Sequence, residues 1–192
     1  AILANGGFPT APLPLSLLRR APYVCACDGA IRHYPQANAV VGDGDSVPPA
    51  YHARLIQVDE QEDNDLTKAT RHCIGQGFRH IVYLGATGRR EDHTLGNISL
   101  MVRYLRDFHI QPLMATDHGW FTPAHGPATF DSFPGQQVSI FNFGCTRIQA
   151  TGLRYPVYPY AEWWQGTLNE ATATAITFDT DGYYLVFRTI AA

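Results

Sequence analysis

The chain has 192 residues, of which 45% are hydrophobic and 16% charged, with a formal net charge of −3. That length can bury the core of one large or two small domains, and the composition excludes a disordered polymer. The weak negative charge, with no basic run of five or more, excludes a nucleic-acid surface, and no apolar run approaches the ~20 residues that span a membrane.

Residues 1–7 lack the length and basic flank of a signal peptide. Cys25, Cys27, Cys73 and Cys145 show no zinc spacing and read as buried, reduced thiols. The expectation is a soluble cytoplasmic protein.

In chain order, residues 2–4 form a short apolar run that ends at Asn5-Gly6-Gly7. Residues 23–27 form a second, ending at Asp28-Gly29, and residues 39–41 a third, ending at Gly42-Asp43-Gly44-Asp45-Ser46. Residues 55–58 run into an acidic segment that opens at Asp59, and residues 80–84 end at Gly85-Ala86-Thr87-Gly88. These are strand patterns. Leu66, Ala69 and Cys73 recur at helical spacing over residues 65–75, with Gly77 as a stop. Leu95, Ile98, Val102 and Leu105 do the same over residues 92–108. Alternating strands and helices predict an α/β, Rossmann-like architecture, a mostly parallel sheet with flanking helices. Ligands of such folds bind beyond the carboxyl ends of the strands, so five polar loops are expected to face one crevice.

After about residue 118 the pattern shifts to short segments rich in β-branched and aromatic residues. They cover 129–131, 137–141, 147–150 and 184–187, separated by Pro134-Gly135, Phe143-Gly144, Thr151-Gly152 and Asp181-Gly182. An antiparallel β-sandwich is expected here. The boundary is placed within 116–127, a segment with two glycines and two prolines, which gives domains over residues 1–120 and 121–192.

Asp43 and Asp45 repel each other on one glycine-rich loop unless a cation lies beside them; hard oxygen ligands suit Mg²⁺, while Gly and Asp are also the ordinary residues of a solvated turn. Asp28 reads as a ligand of metal or nucleotide, or as a helix cap. Asp65 and Lys68 share the first turn of a helix, either as a surface pair or as a carboxylate and an ammonium that hold metal and phosphate together. Gly88-Arg89-Arg90-Glu91-Asp92-His93 leaves a strand to open a helix, where free N–H groups and two arginines attract anions. It is no Walker A loop, since the Gly-Lys-Ser/Thr ending is missing.

Asn5-Gly6, Asp28-Gly29-Ala30, Gly42 through Ser46, Gln61 with Asn64-Asp65-Leu66-Thr67-Lys68, and Gly88 through Asn97 resemble, in order and spacing, the motifs of the thiamine pyrophosphokinases. The resemblance continues through Thr151-Gly152-Leu153-Arg154-Tyr155-Pro156 and Thr167-Leu168-Asn169-Glu170, and so covers essentially the whole chain. It implies transfer of the pyrophosphoryl group of ATP to the hydroxyl of thiamine, with Mg²⁺ as cofactor. It further implies a nucleotide-binding catalytic domain over 1–120, a thiamine-binding sandwich over 121–192, and a homodimer with the active site at the subunit interface.

Carried over position by position, Asp43, Asp45 and Asp65 resemble the Mg²⁺ ligands and, with Lys68, the catalytic groups. Arg90, Ser46 and Asp28 resemble ATP-side residues. Gln61, Asp92, His93 and Asn169 resemble contacts to thiamine or ATP. The chain departs from the family pattern where Arg89 replaces a second glycine, where Leu168 replaces a common serine, and where Asn64 replaces a frequent threonine. The aromatic segment 158–164 fits either stacking on thiamine or burial in a core or dimer. Competing functions are a pyrophosphokinase for another hydroxymethyl heterocycle such as a pterin, a metal-dependent phosphohydrolase, and an ATP-sensing module without turnover.

Overall fold

The structure is a computed structural model and describes residues 1–191. It divides into two compact units, one of Ala1–Leu100 with His109–Asp117, the other of Met101–Phe108 with the chain from His118 onward.

In the first unit six strands run parallel: β1 (Ile2–Leu3), β2 (Cys25–Cys27), β3 (Ala39–Gly42), β4 (Leu55–Gln57), β5 (His80–Leu84) and β6 (Gln111–Ala115). Their spatial order is β6-β5-β1-β2-β3-β4. The chain therefore steps outward from β1 to β4, returns to the other side of β1, and continues through β5 to β6. β1, β2 and β3 are buried along their whole length, as the unbroken apolar runs require of parallel strands covered on both faces.

Helix α2 (Asp65–Gly75) has the bounds expected of it. Asn64 caps it, its Oδ1 accepting from Thr67 N–H at 3.0 Å and from the Thr67 hydroxyl at 2.9 Å. Gly77, at φ 91°, ends it, donating to Ile74 C=O while Phe78 donates to Cys73 C=O. Leu66, Ala69 and Cys73 are buried, as their spacing predicts.

Helix α1 (Pro12–Arg20) was not expected, because Pro9, Pro12 and Pro14 obscure its pattern. Pro12 occupies the first helical position, where no N–H is needed. Its N-terminus has no cap of its own. Instead the Asp117 carboxylate accepts from Thr10 N–H, the Thr10 hydroxyl and Ala11 N–H at 2.5–3.0 Å, from over a hundred residues away.

Helix α3 (Glu91–Phe108) agrees with expectation in length but not in its buried face. Met101, Val102 and Tyr104 are buried, whereas Leu95 is 56% exposed. Periodicity located the helix; it did not show that the first two turns lie uncovered.

The second unit holds β7 (Gly119–His125), β8 (Ala128–Asp131), β9 (Gln137–Phe143), β10 (Ile148–Thr151), β11 (Asn169–Glu170), β12 (Ala175–Thr180) and β13 (Tyr183–Thr189). One antiparallel set runs β11-β9-β13-β7 and the other β10-β12-β8. Their facing side chains form one core, in which Val138, Ile140, Tyr184 and Val186 meet Phe130, Ile148, Ile176 and Phe178. Alternation is clean on β12, where Ile176, Phe178 and Thr180 point in. Residues 119–125, read from sequence as part of a linker, form β7, with Pro123 inside it. Among the described residues no helix is long and apolar enough to cross a membrane.

Candidate active site

The loops that follow β1 to β5 all contribute to one cleft of about 690 Å³ in the first unit. β1 and β5 are neighbours from which the chain proceeds in opposite directions, the switch point at which such sheets bind ligands. Their loops are laced together, Gly6 N–H to Gly85 C=O at 2.7 Å and Gly7 N–H to Thr87 C=O at 2.6 Å. A side chain at Gly6 would strike the carbonyls of Gly85 and Thr87, so only glycine lets the loops touch.

Asp28 lies at the end of β2, buried, with its backbone at φ 40°. It does not cap a helix: its Oδ2 accepts from Ser46 N–H at 3.2 Å, and Arg32 Nη2 donates to Ser46 C=O at 2.8 Å. The acidic loop after β3 is thus held at Ser46 from both sides. Gly42 makes room for this, since a Cβ there would lie 2.9 Å from Asp28 Cβ. Asp28 Oδ1 is buried without a hydrogen-bond partner. Such an oxygen is costly unless a ligand satisfies it.

On that loop Asp43 lines the cleft and accepts from Asp45 N–H at 3.1 Å. Asp65, in the first turn of α2, faces the same space. Burial raises its carboxyl pKa; Lys68 opposes the shift, and the Asp28 and Asp43 carboxylates add to it. Lys68 is itself buried, its side chain 4% exposed, with Nζ 3.9 Å from Asp65 Oδ1 and donating to Val58 C=O at 3.1 Å.

The far wall is the β5 loop and the start of α3. Asn97 Nδ2 donates to Ala86 C=O at 2.8 Å, and Asn64 Nδ2 donates to Asn97 Oδ1 at 3.2 Å, so one side chain ties α2, α3 and the loop together. Arg90 forks onto Asp92 at 3.1 and 2.6 Å, and His93 N–H adds a third bond to that carboxylate. These bonds, Arg90 first, hold the Asp92 pKa down at about 2. Arg89 Nη1 reaches Asn5 Oδ1 at 3.4 Å.

The lining thus combines five carboxylates (Asp28, Asp43, Glu62, Asp63, Asp65) with Lys68, Arg89, Arg90 and His93. Among the described residues no three His, Cys, Asp or Glu side chains stand in a ready-made metal cage. The donors nonetheless suit a hard cation: all are carboxylates, one oxygen is orphaned, and Asp65 bears the repulsion of two others.

Residues 15–112 match the family model for the thiamin pyrophosphokinase catalytic domain, and residues 119–187 that for the thiamin pyrophosphokinase substrate-binding domain. This chain belongs to the thiamin pyrophosphokinase family.

It is similar to thiamin pyrophosphokinase 1 of Caenorhabditis elegans, 28% identical over an alignment of 106 residues that covers 47% of this chain and 44% of that protein. The match therefore spans less than half of that relative. The fold resembles thiamine pyrophosphokinase from Bacillus subtilis (TM-score 0.77, 19% identity, 98% of each chain). It also resembles the Candida albicans thiamin pyrophosphokinase (TM-score 0.79, 15% identity, 98% of this chain and 88% of that one).

Of the site residues that the thiamin pyrophosphokinase resemblance implied, Asp28, Asp43, Ser46, Gln61, Asp65, Lys68, Arg90 and His93 line the cleft. Asp45 is exposed beside it, and Asp92 faces Arg90 on the surface. Asn169 belongs to the second unit and is buried, its Oδ1 accepting from Tyr155 and Glu170 N–H and its Nδ2 donating to Tyr155 C=O. Leu168 beside it stands exposed at φ 62°. Trp164 is 69% exposed, whereas Trp163 packs on Phe141 and Phe143. Sequence reasoning gave no role to Glu62, Asp63, Thr87 or Thr94 in the lining. Arg90, His93, Thr94 and Asn97, at helical spacing on a polar face, carried a readable signal for α3.

Proposed function

We propose that this chain transfers the pyrophosphoryl group of ATP to the hydroxyl of thiamine, giving thiamine diphosphate and AMP. The observation that carries this reading is the mixed charge of the switch-point cleft. A triphosphate entering among five carboxylates is repelled unless a divalent cation accompanies it, while Lys68, Arg89 and Arg90 offer partners for its oxygens.

Asp43 and Asp65 would hold Mg²⁺, with the orphaned Asp28 Oδ1 and the neighbouring Asp45 as further oxygen donors. Bound there, the ion would neutralise charge that develops on the transferring group. Lys68, fixed by Val58 C=O and Asp65, presents a point charge at a constant place and so needs no reorganisation as the reaction proceeds. Ser46, clamped by Asp28 and Arg32, adds a hydroxyl at the mouth of the cleft. The oxygen of the thiamine hydroxyl forms a new bond to the β-phosphorus and gives up its proton to solvent, as the bond from that phosphorus to the α-phosphate oxygen breaks and AMP leaves. Gln61, His93 and Asp92 at the rim, together with Asn169 and the exposed aromatics of the second unit, are the residues available to the acceptor. The excess of carboxylates favours a cationic acceptor such as the thiazolium of thiamine.

The same reading includes a homodimer, in which the second unit of one subunit completes the cleft of its partner. It includes a cytoplasmic setting as well, which suits an ATP-using enzyme with four free, buried cysteines. Incubation with ATP, Mg²⁺ and thiamine tests the function: AMP and thiamine diphosphate in equal amounts support it. ADP, free phosphate, transfer to a pterin alone, or no thiamine-dependent AMP would overturn it.

A further inference from the structure

We infer that Arg89 is a second arginine of this cleft that grips the polyphosphate. The inference rests on the reading of the ligand as ATP, and it assigns a role to a side chain where the family pattern has glycine.

The two arginines are adjacent in sequence but differ in what occupies them. Arg90 has Nε and Nη2 on the two carboxylate oxygens of Asp92, so its charge is matched and its fork is filled. That pair is exposed on both sides, so a phosphate competes with Asp92 for this guanidinium. Arg89 lines the same cleft, and among the described residues it makes no ion pair; its one hydrogen bond goes to the neutral Asn5 carboxamide, long at 3.4 Å. Asn5 orients the guanidinium without neutralising it.

Asn5 stands at the end of β1, and the loops after β1 and β5 are bonded at Gly6–Gly85 and Gly7–Thr87. Arg89 thus reaches across the switch point, carrying a full, exposed charge and open donors into a cleft whose buried Lys68 is already held by Asp65 and Val58 C=O. A planar fork with free N–H groups recognises phosphate oxygens in pairs, which an ammonium cannot do.

Calorimetric titration with MgATP and, separately, with adenosine, without acceptor, tests this on the wild type, Arg89→Ala and Arg89→Lys. Arg89 is exposed, so its variants keep the fold. Arg89→Ala is expected to weaken MgATP binding tenfold or more while adenosine affinity stays within twofold. Arg89→Lys should recover part of the loss. Arg89→Ala binding MgATP within twofold of wild type, or an equal loss for adenosine, would overturn the assignment. Because no acceptor is present, these affinities stand or fall apart from the thiamine-dependent formation of AMP.

Discussion

Asp65 sits half-buried at the first turn of α2, close enough to Asp28 and Asp43 to feel both, with Lys68 as its one opposing charge. Its ionised form is disfavoured by the fold and useful only to a ligand, a strain expected of a functional group. Asp65→Asn is therefore expected to keep or raise the thermal midpoint of the ligand-free protein and to abolish turnover; a lowered midpoint would mean that the pair with Lys68 outweighs burial and repulsion. Asp43→Asn leaves the fold intact, since its carboxylate bonds only within its own loop. Its turnover should fall by about 10²-fold or more, the scale typical of losing one group that stabilises transition-state charge. Circular dichroism alongside the rate separates lost chemistry from lost fold.

Asp181 supplies the pH dependence. It joins the turn after β12 to the start of β10, accepting from the Thr146 hydroxyl at 2.5 Å, Thr146 N–H at 2.9 Å and Arg147 N–H at 3.0 Å. Those bonds, the hydroxyl first, lower its pKa from 3.8 to about 2. A depressed carboxylate contributes stability above its ordinary pKa and loses it as pH falls through the folded value. Melting curves of wild type and Asp181→Asn should thus differ at neutral pH and converge as pH falls from 3.8 toward 2. A constant gap would remove Asp181 from the acid response.

At the scale of elements, packing of the sandwich core dominates. Phe178 is fully buried, with Phe130 at 5.7 Å edge-on and Tyr184 at 5.0 Å between ring centroids. Phe178→Ala should cost about 3–5 kcal/mol in denaturant titration, and a loss under ~1 kcal/mol would contradict this placement of the core. Elements were legible in the sequence where apolar pattern and punctuation agreed, as in β5 and α2, the latter fixed by Asn64 at one end and Gly77 at the other. Proline concealed others. α1 begins with one, β7 contains Pro123, and β6 contains Pro112. Gln111 N–H donates to Arg79 C=O, so by the alternation of a strand the Pro112 nitrogen faces away from β5 and costs that ladder nothing. The two-residue β11 is too short to carry a pattern, whereas β12 alternates cleanly over Ile176, Phe178 and Thr180 and was readable in the sequence.

The candidate site was legible for a related reason: a strand's carboxyl end advertises its loop. Asp28, Asp43, Asp65 and Lys68 each follow from where an apolar run stops or a helix starts. What sequence could not supply was commitment. Adjacent arginines look alike until Asp92 is seen to pair with one, and the sequence does not show that the Asn169 carboxamide is braced against Tyr155.

At the scale of the molecule, the cleft is lined by the first unit alone, and the second unit exposes Tyr155, Tyr158, Trp164 and Leu168. A homodimer that buries such a surface should sediment at twice the chain mass; a fully active monomer would contradict the shared site. The central claim is that two phosphates move together as one group. ATP labelled at the β-phosphate, supplied with Mg²⁺ and thiamine, tests it most directly. The label is predicted to appear in thiamine diphosphate, mole for mole with unlabelled AMP. Label retained in ADP, or released as inorganic phosphate or pyrophosphate without thiamine diphosphate, would contradict it.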